Sequence, residues 1–167
     1  MTAFNLQDEL AVEVERILAD MLFKNVQGEN AKVRAYPQEL PKRIQEVKPE
    51  EIMPREWQED PYPFVVVRID SGNLKTAQDT QQIKTDLVFG IYDKDFACQG
   101  HRGIMNMVHK IAERFTRNPV LNDRYRLSDD AGISWTLDEE DRYPYYFGGM
   151  EMVWDTFFVT REEDRYA

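Results

Sequence analysis

The sequence predicts an α+β fold with a mainly antiparallel or mixed sheet of about four to five strands and two helices packed on one face. Two amphipathic stretches with helical spacing enclose a pair of strand-like runs, and three more strand-like runs follow without a helix between them. Consecutive strands favour antiparallel pairing, and two helices can cover one face of such a sheet. Because 167 residues fit one domain, residues 1–167 are predicted to fold as a single unit.

The first predicted helix spans residues 6–26. Its apolar residues recur at spacings of three and four and therefore share one face; they are Leu10, Val14, Ile17, Leu18, Met21 and Leu22. Asn5 is the expected N-cap, and Gly28 stands where a left-handed residue would close the helix. The stripe predicts packing against the core of its own chain, and docking onto another subunit is the alternative.

A proline-rich segment follows at residues 32–63, and six of the eight prolines lie between residues 37 and 63. Proline lacks a backbone donor and resists helix interiors, so this segment is not one long regular element. Apolar residues such as Ile44, Ile52 and Trp57 are distributed along it. We expect an ordered excursion, with a short strand near residues 32–36, that covers its own chain or forms a contact arm.

The central strands have the clearest pattern. Residues 64–69 (FVVVRI) form a β-branched run typical of a strand buried on both faces, and residues 83–91 alternate between apolar and polar. We expect these two strands to pair as an antiparallel hairpin. The polar residues 71–82, which include Lys75 and Asp79, are predicted to form a mobile loop at its tip.

The second half of the chain continues with a predicted helix over residues 101–117, which ends at Asn118-Pro119. Two short strands are predicted at residues 124–127 and 133–137, joined by a turn. A last strand is predicted over residues 149–160, with Met150, Met152 and Trp154 on one face. The charged tail, residues 161–167, is expected to fray.

The charge balance excludes several partners. Acidic residues number 31 against 21 lysines and arginines, which gives a net charge of −10. This argues against binding of nucleic acid through phosphate neutralisation and against adsorption to anionic membranes. Membrane-spanning and signal-peptide patterns are not evident, so we expect a soluble protein that stays where it is made.

The sequence offers few catalytic patterns, and we expect no enzyme, no cofactor and no metal. Cys98 with His101 is half a metal site or a thiol–base pair, but His101 is interpreted as a histidine at the edge of the core and His109 as solvated. Asp86 and Asp93 lie near the layout of a metal-dependent nuclease without its spacing. A small nuclease of that kind or a Cys-dependent hydrolase is the enzymatic alternative.

Two further groups lie before the last strand. Residues 138–141 are four adjacent acids, which we interpret as a solvated turn. Tyr143-Pro-Tyr-Tyr-Phe147 is an aromatic group that predicts either a protein interface or a loop folded onto the sheet.

Four blocks of the chain carry a family resemblance: residues 60–69 (DPYPFVVVRI), 85–95 (TDLVFGIYDKD), 100–111 (GHRGIMNMVHKI) and 149–156 (GMEMVWDT). In their order and character they resemble the tail terminator (tail completion) proteins of long-tailed bacteriophages. The likeness covers about residues 62–160, together with an amphipathic N-terminal helix in the expected place. The segment 37–63 is longer than the family pattern.

The resemblance implies a structural protein of the virion tail or neck, made in the host cytoplasm. Family members form a hexameric homo-oligomeric ring that caps the tail tube, meets the head-side connector and lets DNA pass through its lumen as cargo. Another head–tail joining or neck protein is the alternative. A negative lumen would repel phosphates. The candidate lumen or partner contacts are Asp138, Glu139, Glu140, Asp141, Asp79, Lys75, Tyr143, Tyr145, Tyr146 and Trp57.

Overall fold

The computed structural model of the chain describes residues 2–41, 61–75 and 80–157. Two helices are present in these residues, α1 (Ala3–Ile17) and α2 (His101–Arg117). The strands are β1 (Leu22–Lys24), β2 (Asn30–Lys32), β3 (Arg34–Pro37), β4 (Phe64–Lys75), β5 (Thr80–Tyr92), β6 (Val120–Leu121), β7 (Tyr125–Leu127), β8 (Ile133–Leu137) and β9 (Tyr145–Phe157). The predicted tail at residues 161–167 and the middle of the predicted excursion, residues 42–60, lie outside the described residues.

The fold is α+β, as predicted, but the main sheet has seven strands, so the expectation of four to five is wrong. The strand order is β3-β4-β5-β9-β7-β6, and β8 also pairs with β9. β3 runs parallel to β4 and the other pairs are antiparallel. β3 corresponds to the short strand expected near residues 32–36 and joins the main sheet, whereas β6, with two residues, is too short to show a period of two in the sequence.

The first helix is shorter than predicted. It begins after Thr2, whose side chain accepts a hydrogen bond from the Asn5 amide, and ends at Ile17. The next residues form the β1–β2 hairpin, whose turn contains Gly28 at a φ of +82°. Phe23 of β1 packs against the core beside Gly103 of α2. This contact between distant segments favours the hairpin over continuation of the helix.

The hairpin β4–β5 is confirmed, and its arms are longer than predicted. Residues 71–82 are not all loop, because Lys75 pairs with Thr80 and the ladder is continuous from there to Phe64 apart from one irregularity between Ile69 and Ser71. β9 pairs with β5 along its whole length. These backbone hydrogen bonds stabilise arms whose polar side chains give no sign of a strand.

The later helix and strands lie closer to their predicted residues than the first helix does. α2 covers the predicted residues 101–117, and β7 and β8 form near their predicted places. β9 begins at Tyr145, four residues before the predicted start, so the aromatic residues 145–147 belong to a strand.

Both helices pack on one face of the sheet, which we call the covered face. The sheet residues buried there include Val65, Val67, Ile83, Leu87, Phe89, Met150, Met152 and Trp154. Trp154 lies at the centre, with its ring 5.2 Å from that of Phe115 of α2. Its indole nitrogen donates to the Thr85 hydroxyl at 3.0 Å, and that hydroxyl donates to the Met152 carbonyl at 3.2 Å. The buried polar atoms of this centre therefore have partners.

Candidate functional site

The opposite face of the sheet, which we call the open face, carries no helix of the described residues. Its side chains alternate along β4, β5 and β9 with those of the covered face. The open face has an aromatic end, where β4 begins, and a charged middle. On β4 this face is buried at Phe64 and Val66, as the sequence predicted for a strand buried on both faces, whereas its side chains on β5 and β9 are mostly half-buried. Contacts outside the chain's own core are therefore open mainly to the side chains of β5 and β9.

The aromatic end consists of Tyr62, Phe64, Tyr92, Tyr145 and Phe147. The ring of Tyr62 lies 5.1 Å from that of Phe64, 4.9 Å from that of Tyr145 and 6.1 Å from that of Phe147, and Tyr92 lies 5.6 Å from Tyr145. A Cβ at Gly90 would lie 2.3 Å from the Phe64 ring, so the ring rests directly on the glycine backbone. These contacts hold the five rings as one patch.

The charged middle consists of Asp70, Lys84, Asp86 and Glu151. The Lys84 ammonium lies 3.3 Å from the Asp70 carboxylate and 3.1 Å from that of Glu151. Burial, followed by the charges of Asp70 and Glu151, raises the pKa of Asp86. Asp86 thus lies in an ion-paired cluster, and the described residues contain no group of three or more His, Cys, Asp or Glu placed to hold a metal.

The acidic run at residues 138–141 forms the turn between β8 and β9. Arg142 donates to Asp138 at 2.5 Å and to Glu140 at 2.7 Å. The Asp138 carboxylate also accepts the Glu140 amide at 3.1 Å, and this bond, followed by Arg142, lowers the pKa of Asp138. The turn is exposed and internally hydrogen-bonded, and Glu139 forms no ion pair with the described residues.

The predicted aromatic group at residues 143–147 is divided among three places. Tyr143 stacks on Phe96 of the loop after β5, with ring centres 6.3 Å apart, and its hydroxyl donates to the Lys94 carbonyl at 2.5 Å. Tyr145 joins the aromatic end, whereas Tyr146 turns to the covered face and packs against Gly100. Because side chains alternate along β9, Tyr145 and Tyr146 lie on opposite faces of the sheet, although the sequence pattern grouped them.

The remaining candidates have different surroundings. His101 is exposed at the start of α2, so the expectation of a core-edge histidine is wrong: the buried stripe begins only at Ile104. His109 is exposed, as predicted, and Cys98 is exposed at a φ of +55°. Lys75 ends β4, and Trp57 and Asp79 lie outside the described residues.

Sequence reasoning missed Phe96, which is 92% exposed. A single aromatic residue in a charged loop has no periodicity that would reveal it. The charged middle could have been predicted from the sequence, since Lys84 and Asp86 occupy the polar positions of an alternating strand.

A second missed feature is a groove of about 700 Å³ beside β3, which we call the β3 groove. Its walls come from α1, the β1–β2 hairpin, β3 and residues 61–63; they include Val12, Glu15, Arg16, Lys32, Arg34, Tyr36 and Tyr62. The Glu15 carboxylate accepts the Ala35 amide at 2.9 Å. Because four separate segments build the groove, no local motif predicts it.

Comparison of the sequence with protein-family models and with curated proteins finds no match. Neither α1 nor α2, the helices of the described residues, is long and apolar enough to cross a membrane. The geometry offers four surface features that can bind other molecules: the aromatic end, in which Phe64 is buried and the other rings are half-buried, the charged middle, the acidic turn and the β3 groove.

Proposed function

We propose that this chain is a structural virion protein, the subunit of a tail terminator ring that caps the tail tube of a long-tailed phage and joins it to the head-side connector. The observation that carries the proposal is the one-sided sheet. Both helices lie on the covered face, while the open face of the described residues presents the four half-buried rings of the aromatic end around the buried Phe64. Aromatic residues are enriched in protein interfaces, so such a face suits a subunit that binds its neighbours.

The charge of the chain supports the passage of DNA through the ring. The net charge is −10, and a closed ring gathers the charge of its copies around one axis. A negative wall repels phosphates, so DNA slides past as cargo and is not held. The side of the ring that faces the axis is therefore predicted to be net negative.

Another head–tail joining or neck protein is the second candidate, and the same one-sided sheet supports it. The two candidates differ in the partner, because only a terminator binds the end of a tail tube. Incubation with tubes assembled from the cognate tube protein therefore separates them.

The proposal is tested first by light scattering of the purified chain. A ring subunit gives a mass near that of about six copies, or assembles when tubes are added. A stable monomer that also fails to bind tubes contradicts the proposal.

The enzymatic alternatives are tested on the same preparation. Cys98→Ser and Asp86→Ala remove the thiol and the carboxylate on which a hydrolase or nuclease would depend, and we expect both variants to assemble like wild type. Metal-dependent or thiol-dependent turnover that disappears in these variants would contradict a purely structural role.

A further inference from the structure

We propose that neighbouring copies of this chain join through two different patches, with the β3 groove of one copy receiving an acidic rim of the next. The acidic rim consists of residues 93–97 and 138–143. This inference rests on the proposed function, because it names the contact that would close the ring.

The acidic rim is a charged surface with an aromatic anchor. Residues 93–95 and 138–142 contain six acids and two cations, and one of these cations, Arg142, is already bound to Asp138 and Glu140. The two loops of the rim are tied together, because the Asp93 amide donates to the Pro144 carbonyl at 2.9 Å and Tyr143 stacks on Phe96. The rim thus presents an exposed Phe96 ring beside an excess of negative charge.

The β3 groove has the opposite charge. Lys32 and Arg34 are exposed on its wall, and neither forms an ion pair with the described residues. Among the described residues, the wall has one carboxylate, that of Glu15, and it accepts a hydrogen bond from the Ala35 amide. In a chain of net charge −10, this groove is a local site for a negatively charged partner surface.

The groove also has room and apolar surface for the aromatic anchor. Its volume of about 700 Å³ exceeds that of one aromatic side chain, and Tyr36, Tyr62 and Val12 line it. Val12 is 71% exposed on the outer side of α1. An aromatic side chain buried in a pocket and surrounded by complementary charges is the usual form of an interface hot spot.

The two patches lie at the same end of the sheet. β4 begins and β5 ends there, and the Tyr62 ring of the groove wall lies 4.9 Å from that of Tyr145, which follows the acidic turn. Within the sheet, β3 and β9 are separated by β4 and β5, which is three strand spacings or about 14 Å. The patches are nevertheless different surfaces, and a contact between two different patches of successive copies generates a ring when the rotation closes.

The contact is tested by charge reversal in two variants of the full chain. The groove variant combines Lys32→Glu with Arg34→Glu, and the rim variant combines Glu139→Lys, Glu140→Lys and Asp141→Lys, because three reversals are needed to make residues 93–95 and 138–142 net positive. Each variant alone brings like charges together, so we expect self-association at least about tenfold weaker than that of wild type. Asp129→Lys with Asp130→Lys reverses two exposed acids of another turn and is the matched control, which should assemble normally.

An equimolar mixture of the groove and rim variants gives the decisive result. The acidic rim of the groove variant then faces the basic groove of the rim variant, and the reversed rim faces the reversed groove. We expect assembly to return in the mixture, in rings that alternate the two variants and contain an even number of subunits. Misfolded chains would not rescue one another, so recovery also shows that both variants fold.

Two outcomes overturn the inference and leave the ring proposal standing. One is normal assembly of both variants. The groove would then be a binding site for residues 42–60 of the same chain or for a different protein. The other is a mixture that stays as dissociated as its components while circular dichroism shows both folded. A wild-type chain that is monomeric at every concentration, with or without tubes, overturns the inference and the proposed function together.

Discussion

The covered and open faces of the sheet share the same strands but have opposite surroundings. On β5, Leu87 and Phe89 are buried beneath the helices. Lys84 and Asp86, which precede them in the sequence, lie on the opposite face, in a charged cluster with Asp70 and Glu151. The covered face is constrained by volume, because every side chain there touches others in one core. Under the proposed function, the open face is constrained by its contacts with partners. Substitutions on the two faces should therefore separate folding from assembly.

The largest expected effect is that of Trp154→Ala on the covered face. Trp154 is fully buried, packs edge-on against Phe115 and donates to Thr85. Its removal leaves a cavity and is expected to lower the free energy of unfolding by about 3–5 kcal/mol. Chemical denaturation followed by circular dichroism measures the loss.

Trp135→Ala is the matched control for that substitution. Trp135 lies in β8 and is 50% exposed, so we expect a loss of less than about 1 kcal/mol. Equal losses for the two tryptophans would contradict the assignment of the core.

The next effect compares the adjacent glycines of β9. A Cβ at Gly148 would lie 2.5 Å from Ile104 of α2, so Gly148→Ala overpacks the covered face and should cost about 1–3 kcal/mol. A Cβ at Gly149 would meet no atom closer than 3.7 Å, so Gly149→Ala should change stability by no more than about 0.5 kcal/mol. Urea denaturation of both variants distinguishes them, and a costly Gly149→Ala would show that the open face is tightly covered.

A smaller effect, with the opposite sign, is expected at Asp86 of the open face. Burial raises the pKa of Asp86 in the folded chain, so its carboxylate form is disfavoured there. At neutral pH the charged carboxylate therefore lowers the stability of the folded chain. Asp86→Asn should raise the melting temperature at pH 7 by about 1–3 °C, and this gain should fade as the pH falls through the raised pKa. Thermal melts from pH 7 to pH 4 measure it.

Glu151→Gln provides the control on the same surface. It removes a carboxylate that binds Lys84 at 3.1 Å, so it should lower or leave unchanged the melting temperature at pH 7. A gain of stability equal to that of Asp86→Asn would show that general charge reduction, and not the surroundings of Asp86, is responsible.

The smallest expected effect is that of Cys98→Ala. The thiol is exposed in the loop before α2, so stability should change by less than about 0.5 kcal/mol and ring assembly should be unchanged. Light scattering and a thermal melt check both, and lost assembly would give Cys98 a role that a structural subunit does not need.

The sequence predicted the elements whose pattern is local. α2 follows from its apolar stripe, and β4 and β5 follow from β-branched and alternating runs. The end of α1 was wrong because Phe23 packs onto the distant Gly103. The strand near residues 32–36 was expected, but its parallel pairing with β4 was not, and β6 was missed because pairing with β7, and not its own pattern, stabilises it.

The candidate site was less predictable for the same reason. The acidic turn was visible as a run of charges, whereas the contact of Phe96 with Tyr143 joins two loops far apart in sequence. The β3 groove requires four segments to meet. The placement of Tyr145 and Tyr146 on opposite faces requires knowing that the strand begins at Tyr145 and not at Gly149.

The most direct test of the central claim is electron microscopy of the purified wild-type chain mixed with tail tubes of its cognate tube protein. The proposed function predicts rings of about six subunits, seen alone or seated on the tube ends. Monomers at every concentration, with tube ends left bare, would contradict it.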